Sequence, residues 1–421
     1  MGKRIEGCDL NRRNFLKSTL IGGITIAFIP SHYNFKKENL GYLIDLQVPT
    51  KLFDGKSCWC HPRAGIVPGA GENSMPKVVM TMNKLNLEGS DVFYGMYGLN
   101  TNNLAKNWTK PQKLKTLAPR IELIDGVERP VALSDFSLKW HSATKTLLGL
   151  GHTVAYTPNW KVTNPRPRST GYSVYDIRQG KWSDWRKLEM PDKVKFYNSG
   201  AGSVQRYDLK NGEILLPIYF NPEGKNSRVI VSRCSFDGKK LIYLSHGTEL
   251  ELNDETRGLG EPSLTKFKDD YFLTMRNDKK AYVARSKDGL HFDQYRPWKF
   301  DDGTELGSYN TQQHWITHSK ALFLAYTRKG AGNDHVFRNR APLFIGEVDS
   351  ENLCVIRSTE RILVPERGAR LGNFGITDVS QNETWVTVSE WMQPEGVEKY
   401  GSDGSVFVAK IKWNYPNKLF V

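Results

Sequence analysis

Helical periodicity is scarce in this chain, and so are cysteine, long apolar runs and clustered positive charge. Five cysteines in 421 residues are too few for a disulfide scaffold. Cys8 falls at the N-terminus, and Cys58 and Cys60 are too close to bridge each other. With His61 beside them, Cys58 and Cys60 supply only half of a metal site, so buried thiols or one distant disulfide is the plainer expectation. No cofactor is required on this reading, and a structural zinc or calcium ion stays open. The formal net charge is +14, yet no Lys/Arg-rich run or nucleic-acid-binding motif concentrates it. A dispersed cationic surface favours an acidic carbohydrate partner over nucleic acid. No Pro/Ser-rich linker divides the chain, which predicts one domain.

The first residues carry a different signal. Asn11-Arg12-Arg13-Asn14-Phe15-Leu16-Lys17 resembles a twin-arginine export signal, with Asn in place of the usual Ser or Thr. The weakly apolar, glycine-containing stretch from Leu20 to Pro30 that follows is short for a membrane span. Residues 1–38 therefore read as a leader, 39–421 as the folded unit, and the periplasm as the destination. No stable membrane insertion is expected after export.

What remains is dense in short β-branched and aromatic runs, such as Lys77-Val78-Val79-Met80-Thr81-Met82 and Gly212-Glu213-Ile214-Leu215-Leu216-Pro217-Ile218-Tyr219. Gly, Asn, Asp and Pro separate them, as in a sandwich, barrel or propeller. Internal repeats decide the matter. Ser286-Lys287-Asp288-Gly289-Leu290-His291-Phe292 and Ser235-Phe236-Asp237-Gly238-Lys239-Lys240-Leu241 share the pattern S-x-D-G followed by an apolar residue. Thr101 to Trp108 is a worn copy. These segments resemble the Asp-box of sialidase-like propellers, a structural turn that closes a hairpin and is not catalytic. The two good copies begin 51 residues apart, about one four-stranded antiparallel blade. That spacing predicts an all-β propeller of seven blades, with six as the alternative. Eleven Trp and eighteen Tyr suit blades that pack face to face.

A propeller assembles its site from several blades, so candidate residues are chosen by type and neighbourhood. His152 in Leu148-Gly149-Leu150-Gly151-His152-Thr153, Tyr219 in Leu216-Pro217-Ile218-Tyr219-Phe220 and Arg233 in Val231-Ser232-Arg233-Cys234 are the catalytic candidates. Arg276, His314, Tyr172, Arg340 and His61 are the substrate-binding candidates, with His141 behind them. The segment from Tyr309 to Trp315 is polar and aromatic enough to hold a sugar.

From about Cys58 to the C-terminus, the order His152, Tyr219, Arg233 resembles the β-propeller lyases that cleave ulvan, and their glucuronate-linked rhamnosidase relatives. The resemblance implies a carbon–oxygen lyase acting on uronic acids of sulfated, rhamnose-rich oligosaccharides, as an ulvan lyase or an oligosaccharide dehydratase. In such a reaction an Arg neutralises the uronate carboxylate, which makes the C5 proton acidic. A His or Tyr takes that proton, and a Tyr phenol protonates the oxygen leaving C4. Arg233 is thus expected as neutraliser, His152 as base, and Tyr219 as proton donor or alternative base. In the rhamnosidase relatives an early histidine carries hydrolysis, and His61 lies at a similar place. True sialidases use three arginines, a Tyr–Glu nucleophile pair and an early Arg-Ile-Pro, which is absent here. A glycoside hydrolase of either kind and a non-catalytic glycan-binding propeller are the alternatives.

Overall fold

The computed structural model describes residues 40–89, 91–222, 225–292 and 294–420. The expected export leader lies outside them. The chain from Leu40 forms one compact unit. Its secondary structure is strand with a few short 3-10 turns, and no helix among the described residues is long and apolar enough to cross a membrane.

Six antiparallel sheets follow one another as the blades of a propeller, the smaller of the two numbers the repeat spacing allowed. Their innermost segments are, in order, Ser57–Val67, Val127–His141, the pair Ser199–Gly200 and Tyr207–Asp208, Gly260–Phe267, His314–His318 and Gly375–Ser380. Ser57–Val67 touches both Val127–His141 and Gly375–Ser380, which closes the ring. The two ends of the chain also close the ring by hydrogen bonding within one blade. The sixth blade takes its outermost strand, Tyr42–Lys51, from the N-terminal side, paired with the last strand, Ser405–Trp413.

The core follows from this plan. Each blade buries both faces against neighbours, so the second strand of the third blade, Ile214–Phe220, is buried at every position and reads as a continuous apolar run. Instead of one central cluster there are seven among the described residues: six slabs between neighbouring blades, and one that joins Cys58 and Phe93 to Tyr156 and Trp391. Leu148, Leu150 and Tyr172 meet Ile214, Leu216 and Ile218 between blades two and three. Trp298 and Phe272 meet Trp315 and Leu324 between blades four and five.

The Asp-box turns sit between the third and fourth strands of their blades. In the fourth blade Asp288 Oδ1 accepts from Ser286 Oγ (2.9 Å) and from the backbone amides of Leu290 and His291 (2.9 and 2.8 Å). Gly289 has φ +77° and Phe292 is buried beneath the turn. Asn103, Asp176, Asp237 and Asp349 hold the corresponding turns of blades one, two, three and five. Blade six has no such turn, because its fourth strand comes from the other end of the chain. Asp176, Asp237, Asp288 and Asp349 stand 61, 51 and 61 residues apart. The two boxes recognisable by sequence thus bracket the shortest interval, which is why their spacing favoured a seventh blade.

Candidate active site

One residue in or shortly before each innermost segment, and in the third blade between its two pieces, adopts a left-handed backbone conformation: His61 (φ 54°), Asp135 (50°), Ser203 (53°), Glu261 (42°), Asn310 (52°) and Asn373 (65°). In blades one, two and four these positions coincide with a break in the strand register. A non-glycine residue in this conformation costs about 1 kcal/mol. The six stand one per blade; contacts join His61, Asp135, Ser203 and Asn373 directly, and Glu261 to Asn310 through Arg276.

Asp135 is the hub. Its Oδ1 accepts from Ser203 Oγ at 2.5 Å and from Asn373 Nδ2 at 3.3 Å, and lies 3.5 Å from both His61 Nδ1 and Arg63 Nη2. Its Oδ2 lies 3.7 Å from His152 Nε2. Burial works against its charge, but His61, His152, Arg63 and the Ser203 hydroxyl outweigh burial and hold the carboxyl below its ordinary value.

His61 receives a hydrogen bond on Nε2 from Asn373 (3.0 Å), which leaves Nδ1 protonated toward Ser134 and Asp135. Phe93 and Trp391 flank its ring, and burial lowers its pKa.

His152 and Tyr219, on adjacent blades, meet at 3.0 Å between Nδ1 and Oη. With Nε2–H facing Asp135, Nδ1 carries the lone pair and the phenol donates to it. Burial, and then the charge of Arg168, hold His152 neutral by driving its pKa to about 3, against the pull of Asp135. Burial raises the Tyr219 phenol to about 12, with Arg168 opposing and Glu261 adding to the rise. The Arg168 guanidinium stands over the Tyr219 ring, 5.1 Å from its centroid. A Cβ on Gly202 would land on the imidazole of His152, and one on Gly200 would come within 2.7 Å of its Cβ. These two glycines, in Ser199-Gly200-Ala201-Gly202-Ser203, therefore make the space that His152 occupies.

Arginines crowd the other side. Arg276 pairs with Glu261 and donates to Asn310 Oδ1 at 2.6 Å. Arg340 donates to the Asn310 carbonyl. The cup thus offers a neutral imidazole–phenol pair, two carboxylates and a surplus of guanidinium groups.

Of the catalytic candidates, His152 and Tyr219 come together, and Arg233 does not join them. Tyr219 pairs in register with Val229, whereas Arg233 is four residues further along that strand, opposite Leu215. At the rise of a strand that is about 13 Å away, and the exposed Arg233 side chain pairs there with Glu213 at 2.7 Å. Arg168 and Arg276 are the guanidinium groups near Tyr219.

Of the binding candidates, His61, Arg276 and Arg340 belong to the cup. His314 lies one layer beneath, bonded to Ser263 and Gln312. Tyr172 is a wedge between blades two and three. His141 is tied to Thr144 and the Gly212 carbonyl. The thiols of Cys58, Cys60, Cys234 and Cys354 are free. No group of three or more His, Cys, Asp or Glu among the described residues is placed to hold a metal ion. Asp135, Arg168, Glu261 and Asn373 were not singled out by sequence, and Asn310 only as part of the segment from Tyr309 to Trp315. Their one local signal is a polar residue, a spacer and usually a second polar residue at the start of a blade, as in Ser134-Asp135-Phe136-Ser137 and Gly260-Glu261-Pro262-Ser263.

The six-bladed propeller is similar in fold to solved structures that include sialidases. The chain aligns with a Dyadobacter fermentans DSM 18053 protein described as of unknown function (TM-score 0.59, 13% identity, 88% of this chain and 99% of that one). It aligns as well with the Hadza microbial sialidase Hz136 (0.55, 11%, 84% and 66%) and with the NanB sialidase of Streptococcus pneumoniae (0.55, 10%, 87% and 70%). The chain spans about two thirds of the length of those two sialidases. No protein-family model and no curated protein matches the sequence.

Proposed function

We propose that this protein is a carbohydrate-active enzyme that cleaves or dehydrates uronic-acid-containing oligosaccharides of the ulvan type by β-elimination, working in the periplasm. The observation that carries this reading is the 3.0 Å contact between the Tyr219 phenol and a neutral His152, under a cup with more guanidinium groups than carboxylates. In this reading Arg168, and Arg276 on release from Glu261, pair with a sugar carboxylate and so acidify the C5 proton. Tyr219 Oη takes that proton while its own passes to His152 Nδ1. Asp135 faces the resulting imidazolium. The electron pair of the C5–H bond forms the C4–C5 double bond as the C4–O bond breaks. The leaving oxygen takes a proton from Tyr219, and His152 returns its proton to the phenolate, which restores the resting state.

Hydrolysis is the second reading, favoured by Glu261, whose charge reaches Tyr219. There the Tyr–Glu pair would serve as nucleophile, as in sialidases. Incubation with glucuronate-containing ulvan oligosaccharides separates the two. Elimination gives an ultraviolet-absorbing unsaturated uronate, by chain cleavage without water or by loss of water alone. Chain cleavage with uptake of one water and no absorbance would overturn the reading.

A further inference from the structure

Two of the buried arginines lie against a carboxylate: Arg63 is 3.5 Å from Asp135, and Arg206 is 2.8 Å from Asp208. Arg340 and Arg370 break that pattern. They are 5% and 7% exposed, and neither has an acidic partner among the described residues. The Nε atoms of both are buried without any hydrogen-bond partner. Arg340 spends one amino group on the Asn310 carbonyl, and Arg370 spends one on Gln393 Oε1 at 2.9 Å.

Arg338 completes the group. Its guanidinium and that of Arg370 each lie 5.0 Å from the Phe337 ring centroid, and Arg370 also stacks on Trp391 at 4.5 Å. The loop that carries Arg338 and Arg340 is fastened from within, because Asn333 Nδ2 donates to the carbonyls of Arg328, Asn339 and Ala341. Gly372 leaves the room Arg340 needs, since a Cβ there would come within 2.9 Å of its Cδ. Three cations are therefore held together at a cost. Burial lowers the pKa of Arg340, and Arg276, Arg370 and Arg338 lower it further. Burial and Arg338 bring Arg370 to about 10.

We propose that Arg338, Arg340 and Arg370 form a second oxyanion subsite, for a sulfate ester or second carboxylate on the sugar next to the one held at Tyr219. The inference rests on the acidic-sugar reading and sharpens it, because the substrate then carries two negative groups. Guanidinium forks match the oxygens of either anion, and the lack of water around buried charges strengthens the attraction.

The test uses inorganic sulfate as probe, with sodium chloride at equal ionic strength as reference. Sulfate stabilises folded proteins generally, so the quantity read is the shift in Tm in excess of that general stabilisation, which the arginine variants retain. Wild type and His152→Ala should show the excess, whereas Arg370→Gln and the rim variant Arg338→Gln should lose it. Because Arg338 is exposed, its variant folds. An equal shift in wild type and Arg338→Gln would overturn the proposal. A second arm compares glucuronate oligosaccharides with a sulfate ester, with a second uronate and with neither on the neighbouring sugar. One of the two dianionic forms should be turned over at least about tenfold faster than the last, and Arg338→Gln should abolish the preference. Equal rates for all three would count against the subsite. If no oligosaccharide reacts, the elimination reading fails, while the sulfate shift still decides the subsite.

Discussion

Tyr219 Oη lies 3.0 Å from His152 Nδ1, although the two residues are 67 positions apart and stand on different blades. The contact exists because Gly200 and Gly202 leave the imidazole its space and because Asp135 faces the opposite ring nitrogen. Substitution of either partner should remove function without unfolding the ring. Tyr219→Phe and His152→Ala are each expected to lower kcat by about 10²–10⁴-fold, the range of a positioned acid or base, with circular dichroism unchanged. Full activity in both would separate the pair from the chemistry.

Gly202→Ala tests the same contact from the backbone. The added methyl collides with the imidazole, so His152 must move from Tyr219. The expected outcome is a fall in kcat comparable to that of His152→Ala, read beside a thermal melt that confirms a folded protein. Wild-type kcat in this variant would show that the geometry around His152 is not needed.

The guanidinium assignments make a paired prediction. Arg168 stands over the Tyr219 ring, and removing it should cost about 10²–10³-fold in kcat/KM on acidic substrates, as for loss of one group that stabilises developing charge. Arg233 faces solvent beside Glu213, and Arg233→Ala should leave kcat/KM unchanged. The reverse ranking would restore Arg233 to the site.

The pH dependence follows from burial. His152 is held near 3, below the ordinary 6.5, so between those values the unfolded chain binds a proton that the folded one refuses. The stability this contributes is complete above pH 6.5 and is lost as the pH falls toward 3. His61 and His314 are shifted the same way. Activity should accordingly show no acid limb near 6.5, because His152 stays neutral there, and no alkaline limb until the Tyr219 phenol titrates at about 12. A kcat/KM profile bending at 6.5 in a still-folded protein would contradict this account.

The Asp-box turns should matter for stability alone. Asp288→Ala removes the acceptor for two backbone amides and the Ser286 hydroxyl. A loss of about 1–3 kcal/mol in urea unfolding is expected, with kcat unaltered. A variant as stable as wild type would mean that the turn is held by its backbone and by Phe292 alone.

Most of the fold was legible in the sequence, because its devices are local. An Asp two residues before its own amide partners and apolar runs bounded by turn residues are read without knowing the neighbours. The blade number was less so, since Asp176 and Asp349 hold the same turn without the flanking Ser and aromatic that make Asp288 conspicuous. The site divides along the same line. His152 and Tyr219 stood out by residue type within apolar strands. Asp135 and Glu261 did not, because their part depends on a left-handed residue that aims a side chain at the channel, and on six such residues standing one per blade. Arg233 was misplaced for a related reason. Its neighbours in sequence resemble those of Tyr219, but its position along the strand sets it at the far end from the cup.

The central claim is that the C5 proton of a uronate leaves to Tyr219. The primary kinetic isotope effect on kcat/KM with C5-deuterated glucuronate oligosaccharides tests it most directly. The account predicts an effect well above unity, with deuterium absent from the unsaturated product. An effect of one, with deuterium retained in the product, would contradict it.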